Sequence, residues 1–208
     1  MDSVALAASN REDDMKVELK FITPDPELHI GSAAAECYDS STEREACLRR
    51  AEHCMSVSHL ATLRFAYADF HISGISRVAS HQLVRVAHAG ILQRSQRYVK
   101  ESHVEYVDPP SVATLPPEMR RAWGEIQQRA EDMYLWLIDN GHMKKEDARY
   151  ILPQGCTTSL RICGNFQMWH DLLRNRAAKK AQWEVRDVAH EIIRQLNAHA
   201  PRIFKLAD

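Results

Sequence analysis

The sequence predicts an α+β protein, a single domain in which a small mixed sheet is packed by several helices. Two observations carry this. Most of the chain repeats its apolar residues at helical spacing, and only a few short stretches alternate apolar with polar residues or gather aromatics. Proline and Asn-Gly punctuation then separates these stretches at Pro24 and Pro26, at Pro109-Pro110, at Pro116-Pro117 and at Asn140-Gly141.

Taken in order, residues 15–23 place Val17, Leu19 and Phe21 on one side of an alternating run and read as a strand. Thr23-Pro24-Asp25-Pro26 opens a helix with proline just inside its start, running to about residue 38. Ser41-Thr42 is expected to cap a second helix over residues 43–57, with Glu45 at capping-box distance from Thr42. The aromatic-rich segment 64–73 reads as a strand. Residues 75–89 carry Ile75, Val78, Ala79, Leu83 and Val86 at helical spacing, and residues 91–99 read as extended or irregular. A surface loop lies between the proline pairs. A long amphipathic helix then spans residues 117–140 and ends at the C-cap signal Asn140-Gly141. A short helix at 144–150, a strand at 157–163 and two closing helices at 165–179 and 182–199 complete the reading. Residues 1–14, polar and acidic, read as a disordered N-terminal extension of a domain covering 15–208.

Composition narrows the functional classes. Lys and Arg number 27 against 28 Asp and Glu, so the basic excess of a general nucleic-acid binder is missing. No run approaches the ~18 apolar residues of a membrane span, and the N-terminus lacks the basic start and apolar core of a secretion signal. The five cysteines have irregular spacing, form no CxxC pair and meet no zinc pattern. They read as reduced thiols of a cytoplasmic protein that binds no metal.

Three arginine-bearing clusters suggest chemistry. The first is Gln82-x-x-Arg85 followed by Gln93-Arg94-Ser95-Gln96-Arg97-Tyr98, with Gln82 and Arg85 on one helical face by their spacing. The second is Asp147-Ala148-Arg149-Tyr150-Ile151-Leu152-Pro153. The third is Arg174-x-Arg176 with the nearby Gln182-Trp183-Glu184-Val185-Arg186. Arginine offers a fork of donors for phosphate or a pyrimidine carbonyl edge, and glutamine can match a uracil imide. On residue types alone, a nucleotide pocket competes with solvated arginines on helix faces.

The order of segments resembles the flavin-dependent thymidylate synthase family over residues 15–204. It runs through Lys16-Val17-Glu18-Leu19, Thr23-Pro24-Asp25-Pro26-Glu27, Cys37-Tyr38, Ser58-His59, Ile75-Ser76-Arg77, Ser80-His81-Gln82-Leu83-Val84-Arg85, Gln93 to Tyr98, Ala148 to Pro153, Asn165, Arg176 and Ala181-Gln182-Trp183-Glu184. Each segment alone is a weak signal, but together and in order they are specific. The resemblance implies a homotetramer with active sites where subunits meet. It implies binding of FAD and dUMP, a one-carbon unit from 5,10-methylenetetrahydrofolate, and NADPH as the reductant of the flavin. It also implies chemistry without the nucleophilic cysteine of the other thymidylate synthase class.

By position, the resemblance implies substrate contacts from Gln82, Arg85, Gln93, Arg94, Ser95, Gln96, Arg97, Arg149 and Arg176. Arg176 is implied at the pyrimidine ring as the catalytic cation. Cofactor contacts are implied for His59, Arg85, Gln93, Asn165 and Asp171. The flavin half departs from the family pattern. An Arg-His-Arg opening is here Arg85-Val86-Ala87, its serine is Gly90, and the polar residue before Gln93 is Leu92. Upstream, a Glu-His pair is Arg64-Phe65, and an arginine two residues after Asn165 is Gln167. Such departures fit an enzyme with altered flavin or substrate handling, as in relatives that methylate UMP for polyoxin-type nucleoside antibiotics. The alternative is a catalytically silent nucleotide-binding homologue that has lost tight flavin binding.

Overall fold

The computed structural model describes residues 15–205; the extension expected at 1–14 lies outside the described residues. Four strands form one sheet in the order β1-β2-β4-β3: β1 is Lys16–Ile22, β2 Tyr67–Ser76, β3 Gly90–Gln93 and β4 Thr157–Asn165. Seven helices complete the α+β fold: α1 Pro26–Ala35, α2 Arg44–Ser56, α3 Arg77–Leu83, α4 Pro117–Asp139, α5 Lys145–Ala148, α6 Phe166–Arg176 and α7 Trp183–His199. Neighbouring strands run antiparallel, where a mixed sheet was expected. Thr23 at the end of β1 donates to Tyr67 at the start of β2, while Glu18 near the other end of β1 meets His71. Asp69 meets Arg161 and Arg77 donates to Cys156, so β2 and β4 are opposed as well. Arg94 donates to Ser159, and Gly90 lies beside Cys163, which opposes β3 to β4.

The chain divides into two compact units. One comprises Val17–Ile72, His81–Leu92 and residues 160–205. Strand alternation builds its core. Ala68, Phe70 and Ile72 of β2, and Leu160 and Ile162 of β4, are buried while their neighbours face outward. Trp169 of α6 is fully buried, packs edge-on against Phe70 with ring centroids 5.1 Å apart, and donates its indole N–H to the Ala68 carbonyl at 3.0 Å. Phe166 meets Phe204 in the same edge-to-face manner. The buried carboxylate of Glu27 in α1 accepts from both the backbone and the guanidinium of Arg202, which ties the C-terminal segment to α1.

The other unit comprises residues 15–16, Ser73–Ser80 and Gln93–Ser159. Here α4 orders a long irregular segment by accepting hydrogen bonds from its backbone. Tyr134 Oη accepts from the Glu101 N–H, and Glu131 Oε1 accepts from Val104. Asp108 in that segment accepts in turn from Trp123 and Gln127 of α4. These side chains satisfy backbone groups that no strand or helix would. Met119, Trp123, Ile126, Met133 and Trp136 of α4 remain exposed, most of them at heptad-like spacing.

Several local readings are corrected. α2 starts at Arg44 without a side-chain cap from Thr42; Ser41 Oγ accepts from Glu43 N instead. α3 ends at Leu83, so Gln82 closes the helix while Arg85 lies in the turn beyond it and the two do not share a helical face. The strand expected at 64–73 begins at Tyr67, after a 3-10 segment over Leu60–Phe65.

The α1–α2 crossing rests on Gly31. A Cβ there would lie 2.0 Å from the Cys47 carbonyl oxygen, a backbone atom with little freedom to yield. Gly31→Ala is expected to cost about 1–3 kcal/mol through overpacking. Gly90→Ala, whose new Cβ would meet nothing nearer than 3.7 Å, should change stability by less than ~0.5 kcal/mol. Urea denaturation of both variants measures the contrast.

Candidate functional site

In the larger unit, α6 is positioned without a loop. Asn165 ends β4 and caps the helix, its Oδ1 accepting from Met168 N at 2.9 Å. The apolar side of α6 (Phe166, Trp169, Leu172, Leu173) is buried, which leaves Gln167, His170, Asp171 and Arg174 along the opposite stripe. Arg176 closes the helix and donates from Nη2 to the Gln82 carbonyl at 2.9 Å, while its buried Nε has no hydrogen-bond partner. Two residues assigned to the substrate, 94 positions apart, are therefore in contact. Asp171 lies 3.6 Å from the His170 ring.

His59 precedes the 3-10 segment and is half-buried. Its backbone is committed, the N–H to Cys54 and the carbonyl to Thr62, whereas its ring has no hydrogen-bond partner among the described residues. Arg85 is exposed in its turn, and among the described residues neither it nor Arg64, Arg174 or Arg176 has a carboxylate within 4.0 Å. Val86 and Ala87 add no polar group beside Arg85.

In the smaller unit, Gln93 ends β3 and donates through Nε2 to Ser80 Oγ at 2.9 Å and Thr158 Oγ1 at 3.3 Å. Arg94 donates to the buried Glu101 carboxylate at 2.6 Å, and its carbonyl accepts from Arg77 Nη2. Ser95 Oγ caps the following turn by accepting from Arg97 N. Gln96 points inward to the Cys156 sulfur and is buried. Arg97 and Arg149 converge on one residue: Arg97 Nε donates to Glu146 Oε2 at 3.0 Å and Arg149 Nε to the Glu146 carbonyl at 3.1 Å. The Glu146 hydrogen bond pushes the Arg97 guanidinium pKa above its ordinary value. Arg97 also stands over the exposed Tyr98 ring.

Comparison with known proteins bears on the same residues. The family model described as thymidylate synthase complementing protein matches residues 18–202. The flavin-dependent thymidylate synthase of Geobacter sulfurreducens is 35% identical over 204 residues, covering 92% of this chain and 86% of that protein. That of Clostridium tetani is 31% identical over 216 residues with the same coverage. That of Thermococcus onnurineus is 33% identical over 196 residues, covering 88% of this chain and 79% of that protein. The chain belongs to the flavin-dependent thymidylate synthase family.

Within this member of an enzyme family, sequence reasoning missed the side chains that hold the named ones. Glu101 contacts a candidate seven positions away, and Ser80, Glu146 and Thr158 contact candidates 13, 49 and 65 positions away. Only Glu146 carried a usable signal, standing three residues before Arg149 at helical spacing. Burial pushes the Cys156 and Cys163 thiols up, the opposite of what activates a nucleophilic cysteine.

The two ion pairs in the smaller unit differ in burial. Glu101 exposes 6% of its side chain and Arg94 37%, against 37% for Glu146 and 54% for Arg97. Glu101→Ala should therefore lower stability by about 1.5–3 kcal/mol, the worth of a hydrogen bond to a charged group plus its orphaned partner. Glu146→Ala should cost under ~1 kcal/mol, as solvent-screened pairs do. Denaturant titration that ranked them the other way would show that Glu101 is not the anchor of this segment.

Proposed function

We propose that the chain catalyses flavin-dependent C5-methylation of a uridine monophosphate, dUMP or UMP, taking its one-carbon unit from 5,10-methylenetetrahydrofolate and its reducing power from NADPH. The observation that carries this reading is the Arg176–Gln82 contact with an unpartnered, buried Arg176 Nε. A buried donor without an acceptor costs free energy unless a ligand supplies one. In this role Arg176 stabilises negative charge on the pyrimidine during attack, from a position fixed before the reaction begins. Gln82 reads the base. Gln93, Arg94, Ser95, Gln96, Arg97 and Arg149 hold ribose and phosphate, with Gln96 contributing through the loop it buries. Arg85 serves the nucleotide and the flavin alike.

The residues of the larger unit suit FAD. His59, Arg85 and Asn165 bring donors without neutralising carboxylates, which matches an anionic dinucleotide. Asp171 offers an acceptor, and Gln93 joins the cofactor contacts from its hydroxyl-held position. Bound FAD would supply the hydride that completes the new methyl group. The protein's own part is to bind, orient and stabilise charge. Self-association belongs to the same reading: a cytoplasmic homotetramer with active sites where subunits meet. The exposed apolar residues of α4, with Trp123 and Trp136 among them, support it.

The deciding assay is tritium release from 5-labelled dUMP and UMP in the presence of folate, NADPH and FAD. Release from dUMP, from UMP or from both identifies the sugar preference. Nucleotide binding with no release from either would favour the silent homologue. Arg176→Ala is expected to lower turnover about 10²–10³-fold and to weaken substrate binding, with its melting temperature little changed. On self-association, light scattering should give a particle near four chain masses; one of 23.8 kDa at micromolar protein would refute the tetramer.

A further inference from the structure

We propose that Arg64 is a second flavin-binding cation of this chain beside Arg85, held in position by Gln167 in place of an arginine at 167. The inference rests on the flavin-dependent reading above. Two departures from the family pattern, Arg64 for an acidic residue and Gln167 for an arginine, stand 103 positions apart in sequence. In the fold they touch: Arg64 Nε donates to Gln167 Oε1 at 2.6 Å. The cation has changed sides of one contact.

The chemistry of the pair favours exchange over coincidence. Gln167 can accept from a guanidinium, whereas an arginine at 167 would have no acceptor to offer Arg64 and would repel it. A glutamine amide neutralises no charge, so Arg64 keeps its full positive charge. No carboxylate lies within 4.0 Å of it among the described residues. One of the five donors of the guanidinium is committed to Gln167, and the four on its terminal nitrogens have no protein partner among the described residues. Holding Nε fixes the plane of the group, so the fork is oriented before a ligand arrives and less is lost in ordering it. In the same unit Arg161, Arg194 and Arg202 each meet a carboxylate, whereas Arg49, Arg50 and Arg186, like Arg64, have none within 4.0 Å among the described residues.

The surroundings match the ligand class. Gln167 opens the polar stripe of α6 that continues through His170, Asp171 and Arg174. Phe65, where the family pattern has histidine, is 55% exposed next to Arg64. An exposed ring beside an uncommitted guanidinium is chemistry for an anionic group joined to a flat heterocycle. Val86 and Ala87 withdraw two polar partners near Arg85, and Arg64 restores one cation from a different segment.

The test is a fluorescence titration of apo-protein with FAD, with thermal denaturation run on every variant. Arg64→Ala should weaken FAD binding about 10- to 100-fold, as loss of one charge-assisted contact does. Arg64→Ala combined with Gln167→Arg should regain most of that loss, because the cation returns to the other side of the same contact. Gln167→Arg alone should not tighten binding, since two guanidinium groups would then compete for one place. If Arg64→Ala unfolds, Arg64→Gln, which keeps a donor for Gln167 without the charge, carries the same test. Native affinity in the Arg64 variants would overturn this assignment and leave the flavin reading intact. A native chain that binds dUMP but takes up no FAD would overturn the flavin reading itself.

Discussion

The junction between β4 and α6 is the constraint on which the rest of the larger unit depends. The strand ends at Asn165 and the helix begins at the next residue, with no loop to absorb error. Three hydrogen bonds fix it: Asn165 Oδ1 takes the Met168 N–H, Phe166 N donates to Ala66, and the Trp169 indole donates to Ala68. Two of the three reach the main chain at or beside β2, so the helix is oriented by the sheet it packs on. A helix held this way has a determined rotation about its axis. Its buried side follows from Phe166, Trp169, Leu172 and Leu173, and the stripe from Gln167 to Arg174 must then face away from the core. The site side chains of α6 owe their direction to core packing, which is why apolar and polar residues on this one helix cannot be considered separately.

The smaller unit solves a different problem. Its segment after Ser95 has little regular structure, and an irregular backbone must satisfy its polar groups some other way. α4 supplies acceptors from Tyr134 and Glu131, and buried Glu101 receives Arg94 while its own N–H is held by Tyr134. Arg94 therefore stands on a buried carboxylate. A carboxylate in such a place needs its cation, and the cation needs its carboxylate. Arg94 is thus restrained in a way that a solvated arginine would not be.

Element types were legible because period and punctuation report directly on the backbone. β1, α1, α4, β4, α6 and α7 fall where alternation, helical spacing, proline and Asn-Gly place them. The misses have physical causes. The capping box at Thr42 was displaced by one that needs no helix cap, Ser41 serving the Glu43 N–H as a local turn. The helix expected over residues 75–89 spans only Arg77–Leu83: the Gln82 carbonyl accepts from Arg176, and the chain then turns, with His88 in the left-handed region at φ 61°. The mixed sheet became antiparallel because strand direction is set by connections that periodicity does not encode. In the candidate site, the resemblance named side chains, and the groups that hold them were not legible. Thr158 with Gln93 and Glu146 with Arg97 are contacts of tertiary structure, silent in any local window.

Ion pairing separates two kinds of arginine in this chain. Arg161, Arg194 and Arg202 meet carboxylates and do structural service. Arg64, Arg85, Arg174 and Arg176 meet none among the described residues, although acidic side chains slightly outnumber basic ones in the chain as a whole. A guanidinium left unpaired keeps its full positive field, which an incoming anion can neutralise. Arg94 and Arg97 take the other course: they are paired, and so are oriented at the cost of part of their field. A ligand meeting the first group gains charge neutralisation, and one meeting the second gains a fixed geometry. Pairing alone does not sort cofactor from substrate: in the proposed chemistry the unpaired group includes Arg176 at the pyrimidine and Arg85 at both ligands, while the paired Arg94 and Arg97 place the nucleotide in a fixed geometry.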